Sequence, residues 1–472
     1  MAEGLMTSKP TQAIHCIPPE LLAHIFFKSL PESLHPGLNQ APLSVSSVCK
    51  AWRRIAISTP SIWSNIRVEF NKGTMLFTYL SILKSWIPRS SNRGFSFILT
   101  WQPKSLLLRT GDFDVDLSEI GEVIDVLVEN CAVWRNISVD APEQVANFTS
   151  RLLSVIPEGT PRIQQISIST PEFPFAKLFT SPISLFMHLS ISTCAQFTPS
   201  GSYVPLENLT TLSLQVNVFV AMELLSRSPR LQQATLELIL CVGDTYPVEP
   251  IALSCLHALK LGAAPQGRED PEVLDLRFSR FLACLQCPAL NTFHISFDYF
   301  VNSRFEMLDR GGVVDLLVRS GSPLRELWVH SRSFESFQQF LEPLTSLKHL
   351  RIPNNILKEN KEFFCRLIHD HYSSTNCHTQ LCPNLESLLI TGERYIFADR
   401  AKIDVMDIRS IVDASAVESP IDARPLVLVV DSGILESVIL PPGSDLEIVD
   451  GKDWAARRQD DLDEIFWCSD GF

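Results

Sequence analysis

The chain has 472 residues, of which 45% are hydrophobic and 20% charged, so it can bury a large core and is not disordered by composition. A net charge of −13 excludes a broad phosphate-binding surface, since nucleic-acid affinity rests on clustered Lys and Arg. No apolar run approaches the roughly 18 residues a membrane helix needs. Met1 to Gln12 carry no apolar core behind a basic start, so no secretory leader is expected and the protein reads as intracellular, cytoplasmic or nuclear.

The first element in chain order is a helix over Leu21, Leu22, Ile25 and Phe26, whose spacing lines one helical face, with Pro18 and Pro19 where a helix begins. The Pro-containing stretch from Pro31 to Pro42 interrupts the pattern. A second amphipathic run then carries Val45, Val48, Trp52, Ile55 and Ile57, and Pro60 closes it. The segment 14–66 is read as one small all-helical module, and 67–130 as a linker and cap.

From residue 131 to 442 a short pattern, apolar-x-x-apolar-x-apolar, recurs eleven times. Its first positions are Trp134, Ile163, Phe186, Leu209, Leu231, Leu256, Leu290, Leu324, Leu347, Leu385 and Leu435. Successive intervals run 29, 23, 23, 22, 25, 34, 34, 23, 38 and 50 residues, most of them within the range of a leucine-rich repeat. Helical stretches such as Val313 to Arg319, ended by Ser320-Gly321, lie between copies. The expected fold class is therefore α/β: an N-terminal helical module followed by an irregular solenoid with a parallel sheet on its concave face. Residues 443–472 form an acidic tail or cap.

The N-terminal residues carry a resemblance. Ile17-Pro18-Pro19-Glu20-Leu21-Leu22-Ala23-His24-Ile25-Phe26 and Val48-Cys49-Lys50-Ala51-Trp52-Arg53 resemble the F-box family pattern, Leu-Pro-x-Glu-Leu-Leu-x-x-Ile-Phe followed later by Val-Cys-Arg-x-Trp-Arg. Ser58-Thr59-Pro60-Ser61-Ile62-Trp63 is similar to the ending common in large fungal F-box families. Ile17 stands where the family has Leu, and the Pro31 to Pro42 stretch is longer than a compact F-box connection. The resemblance implies a substrate-recognition subunit of a cullin-type ubiquitin ligase, with Ile17, Pro18, Leu21, Ile25, Val48 and Trp52 inserted into a Skp-family adaptor that in turn binds a cullin. The same residues also fit as the module's own core. A repeat scaffold outside the ubiquitin pathway is the alternative role.

In each copy the residue between the last two apolar positions points to the opposite, solvent side of the sheet. Those residues run Ser138, Ser167, Ser190, Ser213, Thr235, Lys260, His294, Trp328, Arg351, Leu389 and Ile439. The change from small hydroxyls to basic and aromatic side chains marks Lys260, His294, Trp328, His330 and Arg351 as a candidate surface for an acidic or phosphorylated target protein.

No phosphate loop, dinucleotide fingerprint or nucleophile elbow is present, and no enzyme activity or cofactor is expected. Asp431-Ser432-Gly433 is a single copy of a motif that would need two carboxylates, and reads as a turn. Cys365, His369, His371, Cys377, His378 and Cys382 offer zinc-type donors, but their spacing matches no compact finger, and no metal is expected. Cys284 and Cys287 read as core.

Overall fold

The structure, a computed structural model, describes residues 17–31, 40–70, 76–90, 93–101, 117–142, 145–156, 160–170, 185–192, 206–240, 250–265, 271–296, 310–330, 337–353, 356, 360–372, 381–391, 427–430 and 447–450. The chain divides into two compact units, residues 1–209 and 210–472.

The first unit opens with three helices: α1 (Pro19–Lys28), α2 (Leu43–Val48) and α3 (Lys50–Ile57). Pro19 fixes the first helical turn of α1, while Glu20 near its start and Lys28 near its end complement the helix dipole. The second amphipathic run is two helices rather than one, because Cys49 is extended at φ −157° and ψ 170°. Its Sγ accepts the Trp52 backbone N–H at 3.5 Å, so the break is also the N-cap of α3.

A 3-10 turn, Pro60–Trp63, leads from the helices into the sheet. Trp63 is fully buried, and its indole N–H donates to the Ala56 carbonyl at 2.7 Å. Strand β1 (Asn65–Phe70) follows at once, then α4 (Leu76–Ser90), β2 (Phe95–Trp101), α5 (Leu117–Glu129), β3 (Trp134–Asp140), α6 (Ala146–Ser154), β4 (Gln165–Ser169) and β5 (His188–Ser192). The five strands pair in chain order. Helix α4 packs on the 3-10 turn through Trp86, 5.5 Å from the Trp63 ring in an edge arrangement, with Arg89 Cζ 4.6 Å above Trp63.

The second unit contains β6 (Thr211–Asn217), α7 (Val218–Ser226), β7 (Gln233–Leu240), β8 (Ile251–Ala252), β9 (Ala258–Pro265), α8 (Pro271–Ala283), β10 (Leu285–Gln286), β11 (Thr292–Ser296), α9 (Arg310–Ser320), β12 (Glu326–His330), α10 (Phe337–Leu341), β13 (His349–Pro353), α11 (Lys361–Tyr372), β14 (Ser387–Thr391), β15 (Val427–Val430) and β16 (Glu447–Asp450). Its strands run β6-β7-β9-β11-β12-β13-β14-β15-β16, while β8 and β10 form a separate short ladder. Pairing is parallel, for example across β7–β9, β11–β12 and β13–β14. Short helices between parallel strands satisfy the crossover that such pairing requires.

The described part of the apolar pattern falls on these strands. In β6 and β7 buried and half-buried residues alternate strictly, so one face of the sheet carries the core and the other does not. The leading leucines Leu209, Leu231, Leu256, Leu290, Leu324 and Leu347 are all fully buried. One residue further on, the carbonyls of Thr210, Gln232, His257, Asn291, Arg325 and Lys348 each accept two N–H groups from the next strand's approach. This repeated double acceptance sets register at the start of each strand.

The helix-strand alternation begins earlier than the counted copies, at β1, which straddles the end of the 14–66 module, and at β2, within the stretch assigned to linker and cap. Trp63, Ile66 and Val68 fit the same spacing, and all three are fully buried. At the other end, β15 and β16 are strands that the count did not include, and the copy at Leu435, Val438 and Leu440 lies outside the described residues.

Cys284 and Cys287 are buried, as core. Helix α9 fastens the turn around them: Arg319 Nη2 donates to the carbonyls of Leu282 at 2.8 Å and Leu285 at 2.9 Å, and Ser320 Oγ accepts the Cys287 N–H at 2.9 Å. Gly321 ends α9 at φ +56°, the left-handed conformation that glycine adopts without cost. Among the described residues no helix is long and apolar enough to cross a membrane.

Because Trp63 is fully buried in the turn that touches α1, α3, α4 and β1, its truncation removes a large buried volume and one hydrogen bond. Trp63→Ala is expected to lower stability by about 3–5 kcal/mol, with Trp63→Phe losing less. Denaturant unfolding of both variants against wild type measures it, and an unchanged midpoint for Trp63→Ala would contradict the role.

Candidate functional site

Two surfaces stand out, one on the N-terminal helices and one on the open face of the second unit's sheet.

Helix α1 carries more apolar surface than the chain covers. Leu22 and Phe26 are buried, and Phe26 meets the Trp52 ring at 4.9 Å, which ties α1 to α3. Ile25 lies about 60° round the helix from Leu22, and Leu21 about 100°. Yet Leu21 is 56% exposed and Ile25 48% exposed, with Pro18 exposed beside them. Val48 at the end of α2 is 61% exposed. The apolar arc is thus half core and half bare.

The six residues expected to meet an adaptor therefore fall into two groups. Pro18, Leu21, Ile25 and Val48 are exposed, whereas Ile17 and Trp52 are half-buried, Trp52 by its packing on Phe26. Phe27 and Ile57, which the motif comparison passed over, are also exposed apolar side chains of this module, at 43% and 45%. Phe27 lies off the apolar arc of α1, and Ile57 belongs to the second amphipathic run but falls after the Val48 to Arg53 motif.

On the sheet, register places the outward residues side by side. Ser213 pairs with Thr235, Thr235 with Lys260, Lys260 with His294, His294 with Trp328, and Trp328 with Arg351. All of these are half-buried. The His294 and Trp328 rings meet edge-on at 5.0 Å, and Arg351 Cζ sits 4.1 Å above the Trp328 ring. The indole is thus partly covered by its own neighbours, with the guanidinium within cation–π distance of its face.

His330 ends β12 one row away, paired with Ser296, and its side chain lies outside the described residues. His349 stands in the opposite flanking row and shares a 2.8 Å hydrogen bond with Ser387 Oγ. Leu389 continues the central row beside Arg351, but it is only 7% exposed rather than solvent-facing. It sits between β13 and β15, with Arg351 and Val429 as its register partners. Ile439 lies outside the described residues.

Among the described residues no cluster of three metal-type donors forms. Of the sulfur and nitrogen donors considered, Cys365 is half-buried on α11 and Cys382 is buried, its Sγ within 3.8 Å of the Leu341 carbonyl. The side chains of His369 and His371, and residues Cys377, His378 and 431–433, are outside the described residues.

Burial pushes the thiols of Cys287 and Cys382 up to about 12, for Cys287 against the lowering effect of Arg319. At pH 8 only about one molecule in ten thousand would carry either thiolate, and the thiolate is the nucleophile. Brief iodoacetamide treatment of the folded protein should therefore label exposed Cys255 and leave Cys287 and Cys382 unmodified until denaturant is added. Peptide mass spectrometry checks this, and equal labelling of all three in the native protein would contradict the packing.

Comparison with curated proteins gives no match. Residues 14–69, which hold α1 to α3, the 3-10 turn and most of β1, match the family described as F-box-like, and the N-terminal helical region is an F-box-like domain followed by a mostly parallel sheet with alternating helices.

Proposed function

We propose that this chain is the substrate-selecting subunit of a cullin-type ubiquitin ligase. The F-box-like domain at 14–69 is consistent with that role, and F-box domains bind Skp-type adaptors within cullin complexes. The observation that carries the reading is the bare half of the α1 arc. Leu21 and Ile25 remain about half exposed beside a fully formed core, and an apolar face of that kind suits burial against a helical partner. Pro18, Leu21, Ile25 and Val48 make the adaptor contact, with Ile17 at its edge, while Trp52 supports it from beneath through Phe26.

Downstream, the chain is a leucine-rich-repeat solenoid of the type found with fungal F-box proteins. Its open sheet face, centred on Lys260, His294, Trp328, His330 and Arg351, receives an acidic or phosphorylated target protein. No step of the transfer chemistry belongs to this chain. Holding a target beside the transferring enzyme raises its effective concentration, which is sufficient.

Co-expression of the full chain with a Skp-type adaptor tests the reading. Wild type should co-purify with the adaptor, and the Leu21→Asp, Ile25→Asp double variant should lose it, by about 100-fold or more in affinity, with an unchanged melting temperature. A wild-type chain that never retains adaptor, or a folded double variant that retains it fully, would remove the proposal.

A further inference from the structure

Charge is unevenly placed in this chain. The whole carries −13, yet among the described residues of 17–63 there are four Lys or Arg side chains, Lys28, Lys50, Arg53 and Arg54, and one carboxylate, Glu20. Arg53 is committed within the module, since its Nε donates to the Ser46 carbonyl at 2.9 Å. Lys28, Lys50 and Arg54 are exposed, and among the described residues no carboxylate pairs with them.

These cations stand beside the bare apolar side chains. At about 100° per residue, Leu21, Ile25 and Lys28 fall within roughly 60° of arc on α1, and Glu20 lies at least about 80° away from each of them. On α3, Lys50, Arg54 and Ile57 also fall within roughly 60° of arc, and they lie about 140–160° round the helix from Trp52, the side chain that meets Phe26. Val48 ends α2 two residues before Lys50, across the break at Cys49. Apolar surface and positive charge therefore share both stripes.

Lys28 and Arg54 stand in the last turns of their helices and suit the helix dipole. Lys50 does not. It is the first residue of α3, at the positive end of the dipole, and no acid stands in that turn to offset it. Arg54 follows at i+4, so a second like charge repels it along the same face. The core has no use for either side chain, because α3 joins it through Ala56 and Trp52 on the other side. A residue that works against its own helix marks a place where local stability yields to a contact made outside the chain.

Resting on the ligase-subunit reading, we propose that Lys28, Lys50 and Arg54 are the positive rim of the adaptor contact, and that the Skp-type adaptor meets them with a carboxylate-bearing surface. The apolar stripes hold the complex together and the rim steers its formation, because rim charges act on the association rate more than on lifetime.

Stopped-flow association of the purified full chain with a Skp-type adaptor tests it. Raising NaCl from about 0.02 M to about 0.5 M shortens the Debye length from roughly 20 Å to roughly 4 Å. Wild type should then associate at least about tenfold more slowly, with dissociation changed by less than about threefold. The Lys28→Gln, Lys50→Gln, Arg54→Gln triple variant should associate about tenfold more slowly than wild type at the lower salt and lose most of the salt dependence. Lys28→Arg, Lys50→Arg, Arg54→Lys, which keeps every charge, should match wild type. Lys50→Glu separates contact from folding: it relieves the conflict with the dipole, so the free chain should melt no lower than wild type while its association slows by about fivefold or more.

A wild-type rate indifferent to salt, a folded triple variant with the wild-type salt dependence, or Lys50→Glu associating at the wild-type rate would overturn the proposal. So would a salt-sensitive dimer, seen by sedimentation, that the triple variant abolishes while adaptor association is unchanged, since the cations would then meet the acidic surface of a second copy. Adaptor capture that is stable but insensitive to salt sinks the rim alone. A folded chain that captures no adaptor at any salt sinks the ligase reading, and the rim with it.

Discussion

The burial of Trp63 is the constraint on which the first unit depends. The turn that carries it touches α1, α3, α4 and β1, its N–H closes on the Ala56 carbonyl, and Trp86 and Arg89 pack on its ring from α4. A module of about fifty residues buries too little surface to be robust by itself. By sharing this side chain with the first strand of the sheet, the helices gain a core they could not build alone. The F-box-like match, which runs to residue 69 and so includes Trp63 and most of β1, has the same boundary.

That shared core explains how α1 can leave Leu21 and Ile25 bare. Phe26 packs on Trp52 and Leu22 is buried, so the helix is anchored by one side of its apolar arc while the other side stays exposed. On the sheet a similar division holds. The inward leucines are consumed by the core, while the outward row is set by pairing alone and can carry any chemistry that neighbours tolerate.

Much of this arrangement is legible in the residues. The spacing of Leu21, Leu22, Ile25 and Phe26 specifies a helix and its apolar face, and the pattern from Trp134 to Leu385 specifies strands whose register follows from their leading apolar residue. What periodicity cannot give is which half of an apolar arc is covered: Leu21 and Leu22 are identical side chains with opposite fates, decided by Trp52 and Phe26 meeting across the module. Nor could it show the helix break at Cys49, where a thiol serves as cap in place of the usual Ser or Asp. The early strand at β1 is hidden because its leading Trp63 ends the helical motif and the boundary at residue 66 divides Ile66 from Val68. Strand β2 was hidden because Gly94 stands where its leading apolar residue would be. Leu389 shows the opposite error, a position whose place in the repeat marks it as outward but which is buried in the fold.

The doubled acceptance by the carbonyls of Thr210, Gln232, His257, Asn291, Arg325 and Lys348 has a consequence for how such a chain can change over generations. Each strand is locked to the one before it at its first residues, so the length of whatever lies between them is invisible to the ladder. Intervals from 22 to 38 residues coexist between Leu209 and Leu385 without shifting a row. Selection can therefore rewrite the outward row one column at a time, replacing a serine by a lysine or a tryptophan, and lengthen a connection elsewhere, with neither change disturbing the other.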